Sequence, residues 1–400
     1  MELRRRWQRP GWRGPWSVAA LGLAAALAAA GCTSGSGSTA GGTGSTAGPG
    51  TVLGGTPVMA RPAVTPAQAR RVFDAYRAAS ARAAKTGDQA LALSVVTGVQ
   101  RAVLAATLGR RTVVTTGTPS SAAYSSTLTI TLNYVPQSYG TPTFYLPEGT
   151  GYPRFFAASA RGTVPGLPAG VPATIVTGGT AVRADGTALL LFEQARVGAP
   201  WLLASSSQLP AGMTLPKLAV DRAGYVPVVS SSAALLVRPD EVGALQAAVV
   251  DDGPASTAAR AVSAGPLTTG LYTGARHPVD GLRAPAGDVY QWELAGSALL
   301  PGFALRTADG GALTFYAMSL DMTVAVPDEI SKTDPVRSGP PIPIPDSLLP
   351  LLPPGQAAPL IQLSAGQTLS FAAVDPPAGG PAGKVQVIAM GGGLTSASAT

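Results

Sequence analysis

The sequence predicts an α+β protein of two tandem domains, each a helix pair packed on a curved antiparallel sheet. Three observations carry that expectation. Val64 to Leu104 keeps apolar residues at helical spacing, the residues beyond Thr112 alternate as strands do, and the second half repeats the same order. With 400 residues the chain has room for two ordinary domains with real hydrophobic cores.

The first helix begins at Thr65-Pro66-Ala67-Gln68, which supplies an N-cap threonine, proline at the first helical position and glutamine where a capping box needs it. Ala69, Val72, Phe73, Tyr76 and Ala83 form its apolar face, and Gly87 ends it. Asp88 caps a second helix running through Leu91, Val95, Val99 and Leu104, which the Thr97-Gly98 step kinks or divides. Strands are expected at Tyr124–Val135, Phe155–Gly162, Pro172–Val182, Thr187–Arg196 and Trp201–Ser205, with Asp185-Gly186 as a hairpin turn.

The second half opens on a helix at Pro239-Asp240-Glu241, whose acids suit a helix N-terminus. Gly253-Pro254 ends it and starts another helix, which stops at Gly265. Strands follow at Val289–Leu294, Gly302–Thr307, Ala312–Val326, Thr368–Val374 and Lys384–Met390, with a hairpin at Asp309-Gly310. Arg183–Phe192 and Thr307–Tyr316 read RADGTALLLF and TADGGALTFY, and with the repeated element order this favours a tandem duplication over chance turn chemistry. The expected domains are therefore 64–226 and 236–390. Asp334–Pro359 is too proline-rich for helix or central strand and reads as a surface excursion, and 391–400 as a disordered tail.

The N-terminus carries a different signal. Arg4, Arg5, Arg6, Arg9 and Arg13 precede Ser17–Ala30, an unbroken run of small and apolar residues. As helix that run reaches about 21 Å, short of a hydrocarbon core of about 30 Å, so it reads as an export signal over 1–31. Leu27-Ala28-Ala29-Ala30-Gly31-Cys32 resembles a bacterial lipobox, which implies cleavage between Gly31 and Cys32 and a diacylglyceryl group on the Cys32 thiol. Cys32 is the only cysteine, so no intramolecular disulfide is available. Residues 32–63, dominated by Gly, Ser, Thr and Ala, then read as a flexible tether. The expected location is the outer face of the cell membrane.

The net charge of +7 does not make a nucleic-acid binder. Five basic residues and one acid lie before Cys32, leaving 23 basic against 20 acidic residues, scattered without a basic face. Nucleophilic catalysis lacks its parts as well. His277, the single histidine, stands in a loop-like stretch, and neither G-x-S-x-G nor S-x-x-K occurs. With one His, and one Cys assigned to lipid, no zinc site or cofactor is expected. The acid pairs Asp240-Glu241, Asp251-Asp252 and Asp328-Glu329 lack calcium-loop spacing, and Gly379–Val385 lacks the spacing and the hydroxyl of a phosphate loop.

The strand aromatics remain. They are core residues by default, and the alternative is that Trp201, Tyr225, Trp292 and Tyr316 line the concave side of a curved sheet as ligand-binding residues. Val64–Leu104, with T-P-x-Q-A, G-D-x-A-L and V-x-T-G, resembles a family of actinobacterial lipoproteins known only as a domain of unknown function. That resemblance implies cystatin-like or nuclear-transport-factor-like folds, a long helix crossing a curved sheet, and no catalytic residues. The expectation is a non-catalytic binding or scaffolding module for an envelope protein, glycan or lipid ligand. Its rivals are a hydrolase using loop carboxylates and a purely structural spacer.

Overall fold

A computed structural model describes residues 62–108, 111–116, 130–133, 138–149, 151–163, 173–177, 180–183, 186–210, 212–229, 235–273, 291–325, 348, 351–352, 362–380 and 383–400. The compact unit to which they belong is 58–400. The segments expected as export signal (1–31), most of that expected as tether (32–63) and most of the proline-rich stretch 334–359 lie outside the described residues.

Helix α1 spans Pro66–Thr86 and starts as its sequence dictates. The Gln68 N–H donates to the Thr65 hydroxyl at 3.2 Å, and Gln68 Oε1 accepts from the Thr65 N–H at 2.9 Å. Gly87, at φ 70°, closes it in the left-handed conformation. Asp88 caps α2 (Gln89–Ser94), and α3 (Gly98–Thr107) follows, so the second predicted helix is divided at the Thr97-Gly98 step. The break has a physical use. Val95 and Thr97 exchange backbone hydrogen bonds with Leu203, which the body of a helix could not do.

The strands of the first half are β1 (Arg111–Thr116), β2 (Ile130–Asn133), β3 (Ser138–Tyr139), β4 (Thr143–Pro147), β5 (Arg154–Thr163), β6 (Ala173–Thr177), β7 (Thr180–Arg183), β8 (Thr187–Gln194), β9 (Leu202–Gln208) and β10 (Tyr225–Val226). Helix α4 (Val242–Asp252) follows, and only a single 3-10 turn at Ala258–Arg260 stands in the expected second helix. Then come β11 (Gln291–Arg306), β12 (Ala312–Ala325), β13 (Gln362–Asp375) and β14 (Gln386–Ala399). Residues 391–399, expected as a tail, are the second half of β14 and pair with β13 from Ser370 back to Leu363.

A small sheet has the order β2-β1-β6-β7. The large one runs β10-β4-β5-β8-β9-β14-β13-β12-β11, with β3 on β5, and curls into a half-barrel. This is mixed α+β with few helices and an antiparallel-rich sheet, but both predicted halves contribute to that one sheet. Each half provides a four-strand meander, and the last strands, β9 and β14, meet at Met390 and Gln208. In this palindromic order β8 is the third strand of its meander and β12 the second of its own. The strands that follow the two matched Ala-Asp-Gly sequences, β8 and β12, thus hold different places in their meanders.

Residues 217–229, which run past the expected end of the first domain at 226, bridge the two outer strands. Tyr225 and Val226 pair in parallel with Leu146 and Pro147 of β4, while Val228 and Leu218 bridge Leu305 and Thr307 at β11. The three largest apolar clusters of the described residues fill the body. One packs α1 and α2 on Phe156, Phe192 and Leu203; another packs α4 on Met318, Leu369 and Phe371. The third lies inside the curl, where Phe155, Leu189 and Leu191 meet Leu305, Leu313 and Phe315 from the other half.

Candidate functional site

Inside the curl, β8 and β9 face β11 and β12 across a cavity of about 10 Å³, room for one water-sized group. Leu191 and Glu193 line it from β8, Ser205 from β9, and Phe303, Phe315 and Tyr316 from the opposite strands. Strand alternation explains the first two. Leu191 and Glu193 share the inner face of β8 with Leu189, while Leu190 and Phe192 face the helices. The opposing register slips by one residue between Leu191/Ser205 and Phe192/Leu203, and this bulge brings Ala204 as well as Ser205 to the cavity. Phe303 in turn packs on Phe155 with ring centroids 4.6 Å apart and planes tilted by 37°.

Burial pushes the Glu193 carboxyl above the usual glutamate range, and burial is its sole cause. No ion pair or hydrogen bond of the described residues reaches its side chain. Tyr316 behaves differently. Its hydroxyl donates to Gln246 Oε1 at 2.6 Å, and Gln246 Nε2 donates to the Leu267 carbonyl at 2.6 Å. Full burial raises the phenol well above its ordinary value, so it stays protonated.

A second buried acid lies elsewhere. Asp375, at the end of β13, is 0% exposed, and neither carboxylate oxygen has a hydrogen-bond partner. Burial lifts it to about 7, against a smaller opposing pull from the Val237 backbone. Thr314, two residues along the same face of β12 from Ala312, which pairs with Asp375, is also buried with its hydroxyl unpartnered.

Of the aromatics expected to bind ligand, Tyr316 borders the cavity but is tied into the α4 packing. Trp201 and Tyr225 are half-buried on the helix side; Trp201 packs on Phe156 at 5.2 Å. Trp292 sits in β11 opposite Val324. Of the three whose side chains are described, Tyr316 lies apart from Trp201 and Tyr225, in a different apolar cluster. Asp251 and Asp252 are exposed at the end of α4. Gly31, Cys32, His277, Tyr290, Asp328 and Glu329 lie outside the described residues. Sequence reasoning missed Glu193 and Asp375 because it sought paired acids. The one available signal was an acid on the inward phase of an otherwise apolar strand, Leu189, Leu191, Glu193.

Among the described residues no three His, Cys, Asp or Glu side chains group as a metal site, and no helix is long and apolar enough to cross a membrane. The family model described as Domain of unknown function (DUF8094) matches residues 60–399. No curated protein and no solved structure matches the chain.

Proposed function

The chain belongs to the DUF8094 family, and from that premise we propose that it is a lipid-anchored module at the outer face of a bacterial membrane that binds a partner without transforming it. The anchor rests on the lipobox-like stretch ending at Cys32. Detergent phase partition tests it: wild type is expected in the detergent phase and processed Cys32→Ala in the aqueous phase.

One observation carries the binding reading. The inner crevice places the half-buried carboxylate of Glu193 among apolar and aromatic walls. Such a site can hold a complementary group, since apolar walls with one or two placed polar groups are what a binding site needs. Hydrolysis makes further demands. Paired-carboxylate chemistry needs a second acid across the scissile bond, and a serine nucleophile needs a base beside it. Ser205 shares the crevice with Glu193, so the pair is the sharpest place to look for turnover. Ester and cell-wall substrates, assayed with wild type and Glu193→Gln, are expected to show no difference. Hydrolysis abolished by that substitution would overturn the reading in favour of an envelope hydrolase.

A further inference from the structure

Along the chain from Cys32 onward the basic residues look scattered, but one element concentrates them. Helix α1 holds five of the 23, Arg70, Arg71, Arg77, Arg82 and Lys85, against one of the 20 acids, Asp74. The rest is left with 18 basic and 19 acidic residues, so α1 carries more net positive charge than the whole chain beyond Cys32.

The helix also sorts these charges. Ala69, Phe73, Ser80 and Ala83 form its buried side, and at 3.6 residues per turn the opposite side is Arg71, Ala75, Ala78, Arg82 and Lys85, all exposed. At 1.5 Å per residue that stripe runs about 21 Å. The side chains of Arg71, Arg82 and Lys85 enter no ion pair or hydrogen bond among the described residues. Arg70 and Arg77 flank them, their guanidinium carbons 5.6 Å from the Phe144 centroid and 5.7 Å from that of Phe73. Asp74 is offset by Arg77 at 4.0 Å. Glu148, bridged by Pro62, and Asp88, which caps α2, stand at the two ends of α1 and not along the stripe. Nothing in helix stability asks for this bias, since Arg82 and Lys85, three residues apart, repel each other.

Shape and position indicate the anion. Ala75 and Ala78 leave the helix flat between its charges, which suits an extended surface. Its apolar side is taken up by the body, where Phe73 and Tyr76 pack on Phe192, so contact is by charge and not by insertion. The stretch expected as tether reaches the body at Pro62, four residues before α1 begins. A Gly/Ser/Thr-rich stretch as long as residues 32–61 spans about 30 Å on average. Held that near a bilayer, a basic stripe needs only weak attraction to engage it, because tethering raises the effective concentration.

We propose that the outward stripe of α1 docks the body electrostatically on anionic phospholipid headgroups of the membrane that holds the lipid anchor. The proposal rests on the anchor reading and adds which side of the body faces that membrane.

The test is co-sedimentation of the chain from residue 32 carrying Cys32→Ala, which has no lipid, with vesicles of one part phosphatidylglycerol to two parts phosphatidylcholine. Binding is expected to these vesicles and not to pure phosphatidylcholine, and is expected to weaken at least tenfold from low to high salt. The triple reversal Arg71→Glu, Arg82→Glu, Lys85→Glu is expected to weaken it at least tenfold. Lys217→Glu, Arg222→Glu, Arg260→Glu makes the same change in net charge at exposed residues elsewhere and is expected to weaken it less than about threefold. Melting transitions check that both triples fold; should the first not, Arg71→Gln, Arg82→Gln, Lys85→Gln replaces it. Equal binding to neutral vesicles, salt independence, equal loss in both triples, or no binding to the anionic vesicles would overturn the proposal. So would soluble polyphosphate bound as tightly at equal phosphate concentration, which would mark the stripe as a site for a free polyanion. None of these outcomes bears on the anchor, which stands or falls by detergent partition of the lipidated chain.

Discussion

Asp375 is buried opposite Ala312 at the end of β13, under the segment that leads into α4, with Leu236 donating to the neighbouring Pro376 carbonyl. Its carboxyl rises from the ordinary value of 3.8 to about 7. The folded state therefore holds this proton more tightly than the unfolded chain does. The contribution of this group to stability is greatest at and below pH 4 and declines as pH rises toward 7, by on the order of 4 kcal/mol at 1.36 kcal/mol per unit. Asp375→Asn is expected to flatten that slope: melting temperatures at pH 5 and 8 should converge in the variant and differ in wild type. A wild-type melting temperature that rises steadily across this range would refute the assignment. Sequence reading does not reach such a residue, because adjacency along the chain is visible and burial by distant strands is not. Asp251-Asp252 stood out as a pair and is solvated, whereas Glu193 and Asp375 are single acids that only the assembled sheet desolvates.

Local chemistry made the first helices legible. Thr65, Gln68, Gly87 and Asp88 each satisfy a backbone group within a few residues, and Pro66 has no N–H to satisfy, so the sequence alone contains the whole interaction. The Asp309 turn is of the same kind. Its carboxylate accepts from the Thr307 hydroxyl and, at 3.2 Å, from the Gly311 N–H, and both bonds hold it below the usual aspartate range. Asp309→Ala is expected to cost about 1 kcal/mol at neutral pH, read from denaturant midpoints, and less as pH falls and the wild-type acid protonates. The end of β14 was illegible for the opposite reason. Gly391-Gly392-Gly393 and the Ser/Ala residues that follow have poor strand propensity, and β13 supplies their pairing. Glycine is required there. A Cβ on Gly391 would collide with the Ser206 carbonyl, and Gly392, at φ 118°, lies against the Thr368 carbonyl. Gly391→Ala is expected to destabilise by about 3 kcal/mol, since backbone on both sides must shift. A midpoint unchanged from wild type would show that β9 and β14 do not meet so closely.

Two meanders sharing one sheet make a different molecule from two domains on a linker. β9 and β14 pair directly at only one residue couple, so ladder hydrogen bonds alone would hold the halves weakly. The shared interior adds to them: Phe155, Leu189 and Leu191 from one half pack with Leu305, Leu313 and Phe315 from the other. Helix α3 adds more, since it belongs to the first half yet packs on β14 and β13 as well as β9. Residues 217–229 then tie β4 to β11 by backbone hydrogen bonds on both sides. Their sequence, interrupted by Gly224 and Pro227, was not expected as strand, because a bridging segment takes its conformation from the edges it joins. Separating the halves would expose one wall of the interior and the unpaired backbone of four strand edges, β4, β9, β11 and β14. Residues 64–226 expressed alone are therefore expected to lack a cooperative melt, and 62–400 is expected to unfold in one transition with matching calorimetric and van't Hoff enthalpies. Two separable transitions, or a folded 64–226 fragment, would mean that each meander is stable by itself. The crevice at Glu193 depends on the same coupling, because its walls come from both halves.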